Sequence, residues 1–165
     1  MSASKNHTFI DERLNKEYSS MYETLRELIA KHHDHLAEAR IALVWRAGWK
    51  KSKDGQIILG KCKKASDYDR TFAEYDFVIL LNEKVYPSLS GKQQLALLDH
   101  ELCHAAVRFD KHGNSKYRIR KHDLEEFRSV VERHGCYKAD IEEFVKSVRV
   151  GPSLFEGSKS EDSAA

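Results

Sequence analysis

Residues 97–110 read "LLDHELCHAAVRFD", in which His100 and His104 stand four residues apart and Glu101 directly follows the first of them. A helix advances about 100° per residue, so the two histidines share one face, roughly 40° apart. Two imidazoles at this spacing can bind one tetrahedral metal ion, and the glutamate can reach a water at the metal's open position. The competing interpretation is a helix with histidines on its solvent face, because the HExxH pattern fixes few positions.

The apolar residues around this stretch favour the metal-binding interpretation. They predict a helix from about Gly91 to Arg108, capped by Ser90 with Gln93 three residues later. One apolar stripe lies opposite the histidines and consists of Leu95, Leu98, Leu102, Ala106 and Phe109. Leu97 and Val107 flank the histidines on their own side, which indicates that another part of the chain covers that face.

A catalytic zinc ion needs a third protein ligand besides the two histidines. The continuation HExxHxxGxxH is absent, since Val107 and Asp110 occupy the matching positions. A second helix is predicted from residue 121 to residue 135, and it places His122 and Glu126 together on the face opposite its apolar stripe. We expect His122 to complete the metal site. Glu126 is the alternative ligand, or else a carboxylate that orients His122.

The rest of the chain predicts an α+β protein. Apolar residues at three- and four-residue steps predict a long helix over residues 11–39. Two runs rich in strand-forming residues follow, "ARIALVWRAG" at 39–48 and "YDFVILLN" at 75–82. Asp54-Gly55 predicts a hairpin turn that would pair the first of these runs with the segment after the turn.

A second group of histidines lies in "KHHDH", residues 31–35. His32 and His33 are adjacent and therefore point in different directions on a helix. We expect this group to form a solvated helix end rather than a metal site.

The composition is typical of one globular domain. The chain has 165 residues, 41% of them hydrophobic, and a formal net charge of +2. We expect residues 1–8 to be flexible, residues 9–150 to form a single domain and residues 151–165 to form a disordered tail. The three cysteines form no CxxC pair, and no apolar run is typical of a signal peptide or a membrane span, so we expect a cytoplasmic protein without membrane contact.

Lysines are concentrated around the predicted hairpin, at Lys50, Lys51, Lys53, Lys61, Lys63 and Lys64. They fit a solubilising surface that protects an edge strand from aggregation. They fit equally well a positively charged surface that attracts an acidic partner or a nucleic-acid backbone. The sequence leaves both interpretations open.

With "HELCHAA" and the later "KHDLEEF", the chain resembles SprT-like zinc metallopeptidases, and more closely the metallopeptidases encoded by phages and prophages. The likeness extends from about Ala39 to Ile141 and includes both predicted strands. In SprT-like proteins the third ligand is a histidine, which corresponds to His122. The spacing from His122 to the Glu-Phe step is one residue longer here, which keeps Glu126 open, and the zinc ribbon of SprT-like proteins has no counterpart.

The resemblance implies a compact zincin-like α+β core. This core has a long N-terminal helix, a small antiparallel sheet, the HExxH helix and a following helix that bears the third ligand. In such folds the strand before the HExxH helix edges the cleft, so residues 75–82 are expected to bind a substrate peptide by strand addition.

The expected function is hydrolysis of peptide bonds in a protein or peptide substrate. Zinc held by His100, His104 and His122 would activate a water, and Glu101 would act as the general base. Tyr117, Arg118 and Arg120 are equivalent candidates for stabilising the oxyanion. The alternative is a zinc-stabilised module that binds protein or DNA without cleavage, and a monomer is favoured in either case.

Overall fold

The computed structural model describes most of the chain. The described residues are 6–51, 53, 55–125 and 127–152. They belong to two compact units, the first ending at Arg120 and the second beginning at Lys121. Within the segments expected to be flexible or disordered, residues 1–5 and 153–165 lie outside the described residues.

Helices and strands alternate irregularly along the chain, which places the protein in the α+β class, as expected. The helices are α1 (Lys16–His32), α2 (Asp67–Ala73), α3 (Gly91–His104), α4 (Arg128–His134) and α5 (Ala139–Val150). The strands are β1 (His7–Phe9), β2 (Ile41–Arg46), β3 (Gly60–Lys64), β4 (Phe77–Asn82), β5 (Ala105–Phe109) and β6 (Ser115–Ile119). Among the described residues, no helix is both long and apolar enough to cross a membrane.

The larger sheet has the strand order β1-β2-β4-β3, and a separate β5-β6 ribbon forms the smaller one. Strands β2 and β4 run parallel, whereas β1 and β3 are antiparallel to their neighbours. The expected purely antiparallel sheet is therefore wrong at the β2–β4 pair. The connection between these strands contains β3 and α2, and this crossover returns the chain in its original direction.

The predicted hairpin after β2 is also wrong, because β4 lies between β2 and β3. Asp54 lies outside the described residues.

The expectation that residues 75–82 form the edge of a cleft is also wrong. Strand β4 is paired on both sides, and Phe77, Ile79 and Leu81 are fully buried. The strand that ends the sheet beyond β4 is β3.

Helix α1 packs one face on the sheet and is shorter than predicted. Asn15 caps its first turn by accepting from the Tyr18 N–H at 2.9 Å, and Met21, Tyr22, Leu25 and Leu28 are buried. The Tyr22 hydroxyl accepts from the backbone N–H of Leu43 in β2 at 3.0 Å. The helix ends at His32, and a short 3₁₀ turn over Asp34–Leu36 leads to β2.

The second unit contains α4 and α5. The predicted helix over 121–135 forms only from Arg128 to His134, and Phe127 supplies no side-chain hydrogen bond to cap its start. A segment this short has little helical stability without a cap. The predicted stop at Gly135 is confirmed, because this residue has φ +67°, which glycine adopts without strain.

Asp76, just before β4, is the most buried acidic residue of the sheet, with its side chain 3% exposed. Its Oδ2 accepts from the backbone N–H of Arg40 at 2.9 Å, and its Oδ1 lies 3.1 Å from Nε of Arg70. The Arg70 guanidinium in turn lies over the ring of Tyr117 in β6, 5.2 Å from its centroid. One carboxylate thus ties β2, α2 and β4 together.

We predict that Asp76→Ala lowers the free energy of unfolding by about 2 to 3 kcal/mol, because a buried backbone donor and a guanidinium lose a charged partner. Urea denaturation measures this loss. Asp67→Ala is the matched control, since its carboxylate lies 3.9 Å from the same Arg70 but is 96% exposed. Equal destabilisation by the two substitutions would contradict the assignment.

Candidate metal centre

The helix that carries the HExxH residues begins with the predicted cap. Ser90 Oγ accepts from the Gln93 N–H at 3.3 Å, and Gln93 Oε1 accepts from the Ser90 N–H at 2.9 Å. These reciprocal bonds satisfy backbone donors that the first turn leaves without partners. The cap therefore sets the start of α3, and with it the register of the residues that follow.

The same helix ends four residues earlier than predicted. Ala105 has extended dihedral angles, φ −78° and ψ 120°, and opens β5, which pairs with β6. Leu98 and Leu102 of the predicted stripe are buried, whereas Leu95 and Phe109 are 45% and 71% exposed. The stripe fails at Phe109 because pairing with β6 replaces the helical periodicity after His104.

His100 and His104 are brought together in the last turn of α3. Their ring centroids are 5.0 Å apart, with the rings close to perpendicular at 82°. His104 Nδ1 lies 2.7 Å from the Arg120 carbonyl oxygen, and the Arg120 N–H donates back to the His104 carbonyl at 2.7 Å. A carbonyl oxygen only accepts, so Nδ1 must carry the proton, which makes Nε2 the ring nitrogen that could bind a metal.

Glu101 is buried, with 3% of the residue exposed. The backbone N–H of Cys62 in β3 hydrogen-bonds its carboxylate. A Cβ on Gly60 would come within 2.7 Å of Glu101 Oε1, so the carboxylate lies directly against the backbone of β3. Among the described residues, Glu101 Oε2 has no hydrogen-bond partner.

The contact places Glu101 at the outer edge of the sheet. Two backbone bonds bracket the β3–β4 pair, since Leu59 accepts from the Asn82 N–H and the Ala65 N–H donates to the Asp76 carbonyl, at 2.9 Å each. Antiparallel pairs alternate, so the N–H groups of Gly60, Cys62 and Lys64 point away from β4. Glu101 therefore accepts from the outward edge of β3.

Burial raises the pKa of Glu101, and this effect outweighs the opposing influence of His104 and of the Cys62 N–H. A buried carboxylate with a raised pKa accepts a proton more readily than an exposed one, and Oε2 has no hydrogen-bond partner among the described residues. The donor set of two imidazoles with an adjacent carboxylate fits zinc.

The remaining predicted site residues are distributed differently. His122 is exposed and lies in the non-helical start of the second unit, two residues after Arg120, so its expected helical position is wrong. Glu126 lies outside the described residues. Tyr117 packs edge-on against Phe77, with centroids 5.3 Å apart, and is half-buried.

Two features of this region were not predicted. The contact of Glu101 with Gly60 and Cys62 had no signal in the sequence, because β3 was assigned to a hairpin with β2. His33 was expected in solvent but is buried, and its Nε2 lies 2.6 Å from Asp99 Oδ1 on α3. The sequence feature that could have indicated this buried contact was the run of histidines at residues 31–35.

The fold and this site together define an α+β protein in which one helix ends with two histidines and a buried glutamate between them. A family model described as "Putative phage metallopeptidase" matches residues 15–149, and the chain belongs to that family. This match confirms the resemblance to metallopeptidases of phages. No curated protein and no solved structure matches the chain.

If Glu101 takes part in the reaction, we predict that Gly60→Ala lowers peptide hydrolysis about 100-fold, because displacement of a reacting group by about 1 Å has costs of this order. The added methyl would displace the Glu101 carboxylate and leave the histidines in place. Bound metal, measured by mass spectrometry, should stay at the wild-type level. Gly91→Ala is the control, since an added Cβ there meets no atom within 4 Å. Unchanged hydrolysis by Gly60→Ala would contradict the assignment.

Proposed function

We propose that this protein is a zinc-dependent peptidase of the HExxH type, with a compact zincin-like core related to SprT-like proteases. The observation that carries the proposal is the buried Glu101 carboxylate, which lies one residue from His100 and three from His104. Its Oε2 has no hydrogen-bond partner within the described part of the chain. A structural carboxylate at this position would be expected to use both oxygens, since buried polar atoms without partners are costly.

His100 and His104 supply two ligands, and His122 supplies the third in this proposal. Arg120, whose carbonyl accepts from His104 Nδ1, precedes His122 by only two residues. Arg120 and His122 are therefore separated by a chain segment of at most about 7 Å, which supports His122 as the third ligand in this proposal. Glu126 remains the alternative third ligand.

Zinc bound to these residues would lower the pKa of a water and polarise the scissile carbonyl. Glu101 accepts the proton of the attacking water and delivers it to the leaving amine. The Cys62 N–H holds one carboxylate oxygen, which leaves the other directed at the water. The His104 bond to Arg120 keeps its ring oriented throughout.

The substrate in this proposal is an extended peptide aligned along the outer edge of β3. This strand ends the sheet on that side. Its Cys62 N–H is donated to Glu101, and its other outward N–H and C=O groups would pair with the peptide. Strand addition binds main chain and selects little for sequence, which fits a general peptidase. The proposal moves the substrate strand from β4, where the sequence placed it, to β3.

A reducing cytoplasm is the proposed compartment. Burial raises the pKa of the Cys62 thiol to about 12, which keeps it protonated and unreactive at neutral pH. Cys103 and Cys136 are exposed thiols, which suit a compartment without oxidants.

We predict that Glu101→Gln binds zinc as the wild type does and hydrolyses peptides about 100- to 10,000-fold more slowly, the range that general-base catalysis contributes. A fluorogenic peptide library measures hydrolysis and metal analysis measures zinc. Glu23→Gln, an exposed change on α1, is the matched control. Wild-type hydrolysis by Glu101→Gln, or a purified protein without stoichiometric zinc, would overturn the mechanism.

We predict that His122→Ala weakens zinc binding by at least about 100-fold, more than the loss of an orienting partner would. Competition with a chromophoric chelator measures the affinity. Glu126→Ala should bind zinc normally, and His134→Ala, an exposed histidine of α4, controls for loss of an imidazole. If Glu126→Ala loses zinc and His122→Ala does not, the third ligand is Glu126.

The exposed lysines of β3 favour a second candidate function, a zinc-stabilised module that binds nucleic acid. Lys61, Lys63 and Lys64 are exposed on the strand that contacts Glu101. Salt-sensitive binding of duplex DNA that survives Glu101→Gln, without peptide cleavage by the wild type, would favour this function over the peptidase.

A further inference from the structure

A second group of potential metal ligands lies on α3, beside the HExxH histidines. His33, Asp99 and Cys103 each offer a ligand atom, and these atoms all lie within 4.8 Å of one another. His33 is 5% exposed, and its Nε2 is 2.6 Å from Asp99 Oδ1. All three residues belong to the first unit.

The two groups use the same helical spacing on adjacent faces. Asp99 and Cys103 are four residues apart, as His100 and His104 are, and each precedes one of these histidines by one residue. One residue corresponds to a rotation of about 100°, so the two pairs of donors point to different sides of α3. The side with Asp99 and Cys103 faces His33, which caps the C-terminal end of α1.

We propose that His33, Asp99 and Cys103 form a second metal site that takes a divalent cation of zinc type and joins α1 to α3. An imidazole nitrogen, a carboxylate oxygen and a thiolate sulfur are all zinc ligands, and a water completes four-coordination. The burial of His33 holds one ligand in place before the metal arrives, while Asp99 and Cys103 remain accessible to solvent.

Metal binding at this site exchanges protons for the cation. The Cys103 thiol loses its proton to solvent, because thiolate is the ligand form. In the neutral His33 ring the proton moves from Nε2, where it is donated to Asp99, to Nδ1, which frees Nε2 for the metal. Asp99 exchanges this hydrogen bond for a bond to the cation, so no further reactant is required.

A cation at this site would strengthen the contact between α1 and the helix that holds the HExxH residues. A ligand that binds only the folded state raises stability by mass action. The second site is thus structural, and it is independent of whether Glu101 acts as a base.

Cobalt(II) titration of the full chain tests the proposal. A thiolate ligand gives a charge-transfer absorption in the near ultraviolet, which the nitrogen and oxygen donors of the HExxH site cannot give. We expect this absorption in the wild type and in Cys136→Ser, and its loss in Cys103→Ser and Asp99→Asn. Absence of the absorption from the wild type, or its persistence in Cys103→Ser, would overturn the second site.

Two further measurements separate this site from the proposed peptidase. Wild type should bind two zinc ions per chain, and both His104→Ala and Cys103→Ser should bind one. Zinc bound at the second site should raise Tm in His104→Ala as it does in the wild type, and this rise should be smaller in Cys103→Ser. Circular dichroism checks that Cys103→Ser is folded. Hydrolysis that fails while the thiolate absorption is present refutes the peptidase alone. A missing absorption with normal hydrolysis refutes the second site alone.

Discussion

The contact between the Glu101 carboxylate and the backbone of β3 is the constraint on which the site depends. It buries a charged group at the edge of the sheet, and the Cys62 N–H is the partner that makes this burial tolerable. Gly60 is required beside it, because any side chain would occupy the space of the carboxylate. The position of α3 relative to the sheet therefore determines both the pKa of Glu101 and the direction of its unsatisfied oxygen.

Helix α3 combines structural and chemical roles by presenting different faces. Leu98 and Leu102 anchor it in the core, which leaves the remaining faces for polar groups. The end of the helix at His104 is as important as its start, because the turn into β5 brings Arg120 at the end of β6 against the His104 ring. A helix continuing to residue 108, as the periodicity predicted, would have separated this carbonyl from the imidazole that it orients.

Particular residues show how far sequence reasoning reaches in this protein. The cap at Ser90, the pair His100 and His104 and the glycine stop at Gly135 were predictable, because each depends on residues within a turn of one another. The position of β4 inside the sheet was not predictable, because the possible strand orders differ only in contacts between segments that are distant in the chain. His33 was misplaced for the same reason: its partner Asp99 lies 66 residues away.

The sequence by itself determined the α+β class, the family and the presence of a His-Glu-His motif on a helix, because these depend on local spacing and composition. Only the tertiary structure decided that Glu101 is buried against β3, that β3 rather than β4 is the terminal strand, and that His33 meets Asp99. The physical reason is that burial and a raised pKa belong to a residue's surroundings, and the residues that supply them come from elements far apart in the chain.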